Sequence, residues 1–252
     1  MIDAEHVTVP SFAARAIRVC FPPPSRGLPV PLLILFDGQN VFDDEHAPFG
    51  GWHADRAACR LGRRRHRPIV VGVEHGGEDR LGELAPWRVH GQAGRAEEFT
   101  AWLAHDLVPR LRRRYPIIEG PVGVLVGGAS MGGLAALYAH LRWPNVFGGA
   151  LAMSPSLWVG GRAFVDFIRR VERPAISQIY LDGGLHEAHG SVAHKNHLVR
   201  EALLERGWDA GRVRALVDPR GRHTESSWRR RLPGALRWFY PDTAPRRHRP
   251  AP

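Results

Sequence analysis

The chain has 252 residues, 44% hydrophobic and 24% charged, with a formal net charge of +10 at pH 7. That length suits one α/β unit with a core large enough to need no disulfide or metal staple, and Cys20 and Cys59 stand alone without metal or redox spacing. No apolar run approaches the roughly 18 residues of a membrane span.

In chain order, strands are expected at Ala16 to Phe21, Leu32 to Phe36, Ile69 to Glu74, Val122 to Val126, Gly149 to Met153, Ile176 to Leu181 and Val213 to Val217. Several are continuous aliphatic runs, the pattern of strands covered on both faces. Pro22-Pro23-Pro24 marks an early loop. Between the strands, Ala96 to Tyr115 carries Phe99, Leu103, Leu107 and Leu111 at helical spacing, with Pro109 expected to kink or break it. Further helices are expected at Leu134 to Trp143, Arg162 to Glu172, Ser191 to Arg206 and Thr224 to Tyr240, the earlier ones closed by Pro144, Pro174 and Gly207. Strand–helix alternation predicts a mostly parallel central sheet with helices on both faces. The interval between Met153 and Ile176 holds one helix and a loop, so no separate lid domain is expected. A single unit over 1–242 follows, with a basic, proline-containing tail over 243–252 read as disordered.

Of 35 basic residues only Lys195 is a lysine. The arginines, including Arg63-Arg64-Arg65 and Arg112-Arg113-Arg114, are dispersed and accompany no nucleic-acid module, so no specific nucleic-acid partner is expected. Met1-Ile-Asp-Ala-Glu-His has neither the basic start nor the apolar core of a secretory signal, which makes the cytoplasm the expected compartment.

Gly128-Ala-Ser-Met-Gly fits a nucleophile elbow: strand before, helix after, and glycines two before and two after Ser130 where strand and helix must approach closely. A serine hydroxyl needs a base to take its proton, and that base needs a carboxylate to hold its tautomer. On such elbows the acid and then the histidine follow the serine. His223 stands out, because Asp218-Pro-Arg-Gly-Arg-His leads from a strand end into a helix, where ligand chemistry gathers in open α/β sheets. His186 and His189 compete from another strand-end loop, while His194 and His197 read as a helix face. The acid is left between Asp182 and Glu187. Two backbone N–H groups should face the developing oxyanion: that of Met131, and one from Asp37-Gly38-Gln39-Asn40, with Gln39 the leading candidate.

These segments together resemble the putative esterase family of α/β-hydrolases, which includes enterochelin esterases and esterase D-like enzymes. The resemblance runs from about Ala16 to Tyr240. Asp37-Gly-Gln-Asn-Val-Phe-Asp resembles the family's oxyanion-side loop, and Arg80-Leu-Gly-Glu-Leu-Ala-Pro its arginine-to-proline segment. Ser154-Pro-Ser-Leu-Trp follows the next strand, and His223-Thr-Glu-Ser-Ser-Trp resembles the histidine-plus-tryptophan ending. The family's Gly-x-x-Glu step matches Gly184-Leu-His-Glu and favours Glu187 over Asp182. The resemblance implies an α/β-hydrolase fold and a serine esterase working through an acyl-enzyme, with no metal or organic cofactor. Its partner would be a small-molecule ester, siderophore-type or otherwise bulky, with an anionic ester as one option. Trp52, Trp158 and Trp228 are candidates to line the substrate pocket. An acyltransferase on the same scaffold and a non-catalytic binding protein are the alternatives.

Overall fold

The computed structural model describes residues 2–21, 28–61, 67–160 and 162–241. The expected proline loop over 22–24, most of the arginine run over 63–67 and the expected tail lie outside the described residues.

Among the described residues, eight strands form one sheet: β1 (Ile2–Val7), β2 (Arg15–Cys20), β3 (Leu32–Phe36), β4 (Ile69–Val73), β5 (Val124–Ala129), β6 (Gly149–Met153), β7 (Gln178–Gly184) and β8 (Val213–Asp218). Their order is β1-β2-β4-β3-β5-β6-β7-β8, with the β1–β2 and β2–β4 pairs antiparallel and all pairs from β4 to β8 parallel. The chain winds outward in one direction from β3 to β4 and in the other from β5 onward. The crevice between the carboxyl ends of β3 and β5 is therefore the switch point where open α/β sheets bind ligands.

Among the described residues, eight α-helices accompany the sheet: α1 (Ala54–Cys59), α2 (Arg80–Leu84), α3 (Ala96–Trp102), α4 (Val108–Arg114), α5 (Met131–Arg142), α6 (Ala163–Arg170), α7 (Ser191–Glu205) and α8 (Glu225–Phe239). Period-two alternation divides β3 between two cores. Leu32, Ile34 and Phe36 join the layer of α3, α5 and α7. Leu33 and Leu35 join that of α1 and α8 with Trp52, Trp228 and Leu232. All five residues are fully buried, which is why the segment reads as an unbroken apolar run.

Pro109 does not break its helix. The stretch Leu103–Leu107 is wound as a π-helix between α3 and α4. A wider turn just ahead of the proline accommodates its missing N–H and its ring. Val122 falls in a one-turn 3₁₀ helix before β5 and is exposed, so that strand begins two residues later than expected.

Several arginines are committed to acidic partners across the fold. Arg15 and Glu83 form a buried bidentate pair at 2.7 and 2.9 Å that ties α2 to β2. Arg18 meets Glu74, Arg142 meets Glu97, and Arg110 and Arg114 both meet Glu5. No helix among the described residues is long and apolar enough to cross a membrane.

Candidate active site

Ser130 occupies the corner between β5 and α5 with φ 56° and ψ −121°, a conformation L residues rarely adopt. Backbone bonds hold it there. Its N–H donates to the Met153 carbonyl at 3.0 Å, and the Ser156 N–H donates to the Ser130 carbonyl at 2.9 Å. Gly128 is obligatory on steric grounds, and Gly132 is closely packed. A Cβ on Gly128 would lie 2.6 Å from the Gly132 carbonyl carbon, and one on Gly132 would lie 3.0 Å from Phe36 Cβ.

Ser130 Oγ is 2.9 Å from His223 Nε2, and His223 Nδ1 is 2.8 Å from Glu187 Oε2. An ionised carboxylate only accepts, so Nδ1 carries the proton and leaves the Nε2 lone pair to the serine hydroxyl. His223 sits just ahead of α8, whose N-cap Thr224 accepts from the Ser227 N–H. Its ring stands edge-on to Trp228 at 5.0 Å. His186, the competitor, is exposed on the turn after β7, and the side chain of His189 lies outside the described ones.

Both candidate acids are buried, and they are wired differently. Glu187 Oε1 accepts from the Gly184 N–H at 2.7 Å and from Ser154 Oγ at 2.8 Å. Burial pulls the Glu187 carboxyl up, but the bonds from His223, Ser154 and Gly184 outweigh it and leave it below the usual glutamate range. Asp182 accepts from Tyr180 OH at 3.3 Å and from the Ser154 N–H at 3.3 Å, and faces Arg231 Nη2 at 3.2 Å. Burial dominates there and, despite Arg231, pushes Asp182 up to about 7. The imidazole bond goes to Glu187.

Two residues not singled out from the sequence organise this arm. Ser154, fully buried with φ 45°, donates to Glu187 and receives Trp228 Nε1 at 3.0 Å and Arg231 Nη2 at 2.7 Å. Arg231, with 8% of its side chain exposed, bridges Asp182 and Glu187. It stands in the run Arg229-Arg230-Arg231, which carries no local sign of burial. A third such residue is Ser156, whose Oγ lies 3.2 Å from Ser130 Oγ. For both serines the available signal was their position in Ser154-Pro-Ser, straight after a strand.

On the opposite side of the crevice, Asp37 adopts φ 58° and starts a one-turn 3₁₀ helix, Gly38–Asn40. Arg80 grips its carboxylate with two bonds of 2.6 and 2.8 Å. Gly38 admits no side chain, because a Cβ would lie 2.6 Å from the Gly72 carbonyl carbon. Gln39 thus lies in the first turn of a short helix and Met131 is the first residue of α5. N–H groups at such positions have no partner within their own helix.

A cleft of about 730 Å³ opens over Ser130 and His223. Pro48, Phe49, Trp52 and Trp228 line it together with Gln39, His75, Arg80 and Glu225. Trp52 and Trp228 are only 2% and 5% exposed and pack edge to face in the core. Trp158 does not line this cleft. It projects from the loop after β6 beside His90 and borders a separate groove between α6 and α7. Among the described residues, no group of three or more His, Cys, Asp or Glu side chains is arranged to hold a metal ion.

The family described as Putative esterase matches residues 13–239. The iron(III) enterobactin esterase of Dickeya dadantii (strain 3937) is 32% identical over 231 residues, covering 83% of this chain and 47% of that protein. The chain thus spans about half the length of that relative. Among solved structures, the ferric enterobactin esterase from Salmonella typhimurium superposes with a TM-score of 0.73 at 19% identity, covering 95% of this chain and 58% of the other. An IroE-like serine hydrolase from Shewanella oneidensis gives 0.77 at 17% identity, covering 97% and 82%. At these identities the structures speak to the fold: an α/β sheet of the esterase and serine hydrolase type.

Proposed function

The chain belongs to the putative esterase family of ester hydrolases, and from that premise we propose that it is a serine carboxylic-ester hydrolase working through an acyl-enzyme, organised as a single unit over 1–242. Ser130 attacks the ester carbonyl. His223 takes the serine proton at Nε2 and returns it to the departing alcohol. Glu187 holds the Nδ1 proton and stabilises the imidazolium that forms. The N–H groups of Met131 and Gln39 receive the oxyanion from the two sides of the switch-point crevice, where fixed dipoles need no reorganisation as charge develops. Water, activated by His223, then cleaves the acyl-enzyme.

The observation that carries this reading is the unbroken line from Ser130 through His223 to Glu187, at 2.9 and 2.8 Å, on a corner serine held in a strained conformation. Two hydrogen bonds in series make a weak nucleophile competent at neutral pH. For the substrate we propose a bulky, siderophore-type ester, on the strength of what the relatives' names say they act on and of a cleft large enough for more than a short acyl chain. An anionic ester is less supported than the +10 charge suggests, because the cleft's Arg80 is already committed to Asp37 and Glu225 lines the same cleft.

The test is a panel of acyl-chain lengths, sugar acetates and ferric catecholate esters, with acid and alcohol products quantified in water and in water containing an alcohol acceptor. The proposal predicts release of free acid, with the highest kcat/KM on the catecholate esters. Transfer to the alcohol as the dominant product would make the protein an acyltransferase. Turnover confined to short acetates would remove the siderophore-type assignment while leaving the esterase.

A further inference from the structure

Two of the three tryptophans singled out from the sequence have little surface to offer a substrate. Trp52 and Trp228 are spent on the core and Trp158 lies elsewhere. The aromatic side chain that borders the cleft with its surface still free is Phe49, 79% exposed. A lone exposed phenylalanine ordinarily needs no explanation. The backbone beneath this one gives a reason to seek one.

Phe49 rides on the loop between the 3₁₀ turn and α1, and that loop is closed and braced at several points. Trp52 N–H donates to the Asn40 carbonyl at 2.7 Å, and Gly50 N–H to the Ala47 carbonyl at 3.1 Å. Asp43 Oδ1 accepts the N–H groups of Glu45 and His46 at 3.1 and 3.0 Å. Asp44 accepts from Gly51 N–H at 2.8 Å, lies 3.2 Å from His53 Nε2, and meets Arg229 of α8 at 3.6 Å. The loop packs so closely that a Cβ on Gly51 would fall 2.1 Å from the Asp43 carbonyl oxygen. It is therefore pinned to the element that delivers the oxyanion-side turn and to the helix that follows His223. An apolar ring held in water on a pre-ordered backbone has already met much of the entropic cost of binding, and it gains when a flat apolar group covers it.

We propose that Phe49 is a specificity-determining residue of this cleft, giving an apolar face to an aromatic ring carried by the ester, so that ring-bearing esters are selected over small aliphatic ones. The proposal rests on the reading of Ser130 as the nucleophile. Because Phe49 is exposed and its backbone bonds do not involve its side chain, its replacement should leave the fold intact.

The experiment compares the unmodified protein with Phe49→Ala and Phe49→Tyr on vinyl acetate, vinyl benzoate and phenyl acetate, with fluorophosphonate labelling of Ser130 followed in parallel. In Phe49→Ala, kcat/KM should fall about tenfold on the ring-bearing esters through KM, the size expected for one lost apolar contact. The quantity read is the ratio of kcat/KM on each ring-bearing ester to that on vinyl acetate, which should fall in Phe49→Ala, and Phe49→Tyr should retain the ring preference. A fall on vinyl benzoate alone or on phenyl acetate alone supports the proposal and assigns the ring to the acyl or the alcohol side. An equal response on all three esters, or none on any, overturns it. Failure of Ser130 to label in the unmodified protein removes the nucleophile reading instead, and this proposal with it.

Discussion

Asp182 and Glu187 lie five positions apart at the carboxyl end of β7, both essentially out of contact with water and both beside Arg231. Their environments nevertheless drive them in opposite directions. Asp182, in the strand, is dominated by desolvation and pushed up to about 7. Glu187, on the turn beyond two glycines, gathers enough donors to stay ionised and aims its second oxygen at His223. Burial alone does not make a catalytic carboxylate. The direction of the lone pairs and the number of donors decide it.

The sharpest way to break this contrast is to remove each carboxylate in turn. Glu187→Gln should lower kcat by about 10³–10⁴, as when a triad acid no longer holds the histidine tautomer. Asp182→Asn should leave kcat within about tenfold of the unmodified protein. The reverse pattern would transfer the role to Asp182, and two mild effects would reduce the machinery to a Ser–His pair.

Arg231→Gln tests what holds the two acids together. Removing the guanidinium leaves two buried carboxyls without their shared cation, which should cost about 3–5 kcal/mol of stability in a denaturant titration. Adding Asp182→Asn should recover part of that loss by removing the less well-supplied acid. A surface-like loss below about 1 kcal/mol would place Arg231 outside the network.

Across the crevice the same principle of donor direction applies to Asp37. Arg80→Gln should loosen its turn and lower kcat about 10–100-fold by misplacing one oxyanion donor. KM for a small ester should change little. A change in KM alone would make Arg80 a substrate contact.

The most gradual effect expected is in the pH dependence of stability. With its carboxyl raised in the folded state, Asp182 contributes stability fully below the ordinary aspartate range, and that contribution is lost as pH rises through about 7. Glu187, lowered in the fold, contributes above the ordinary glutamate range and loses that contribution as pH falls through its lowered value. Between pH 5 and 8.5 the unmodified protein should therefore lose about 2–3 kcal/mol relative to Asp182→Asn. Parallel profiles would show that Asp182 is ionised throughout.

Much of this arrangement is legible in the sequence because the sheet core is written as unbroken aliphatic runs. β3, β4 and β6 fall within a residue of their expected bounds. β1 escapes because Ile2–Val7 is a largely exposed edge strand with only intermittent apolar residues. α1 and α2 are too short to show a period. β7 runs on through Gly183 and Gly184, which look like a turn; Gly184 must be bare because a Cβ would strike Gly221 at 2.2 Å. The elbow motif and the loop of His223 are local patterns and could be read directly. The choice of acid could not be read from the residues alone, since Asp182 and Glu187 both follow an apolar strand. Ser154 and Arg231 act through contacts made by chain segments far apart in sequence, which no local pattern encodes. Residue type in the sequence points to the tryptophans, whereas exposure within the cleft, a property of the fold, points to Phe49.

The central claim is most directly tested by reacting the protein with a fluorophosphonate probe and mapping the label by peptide mass analysis. Only a serine combining base activation with oxyanion donors should react rapidly. The account predicts labelling at Ser130 alone, lost together with ester turnover in Ser130→Ala and slowed strongly in His223→Ala. Rapid labelling at another serine, or undiminished turnover by Ser130→Ala, would contradict it.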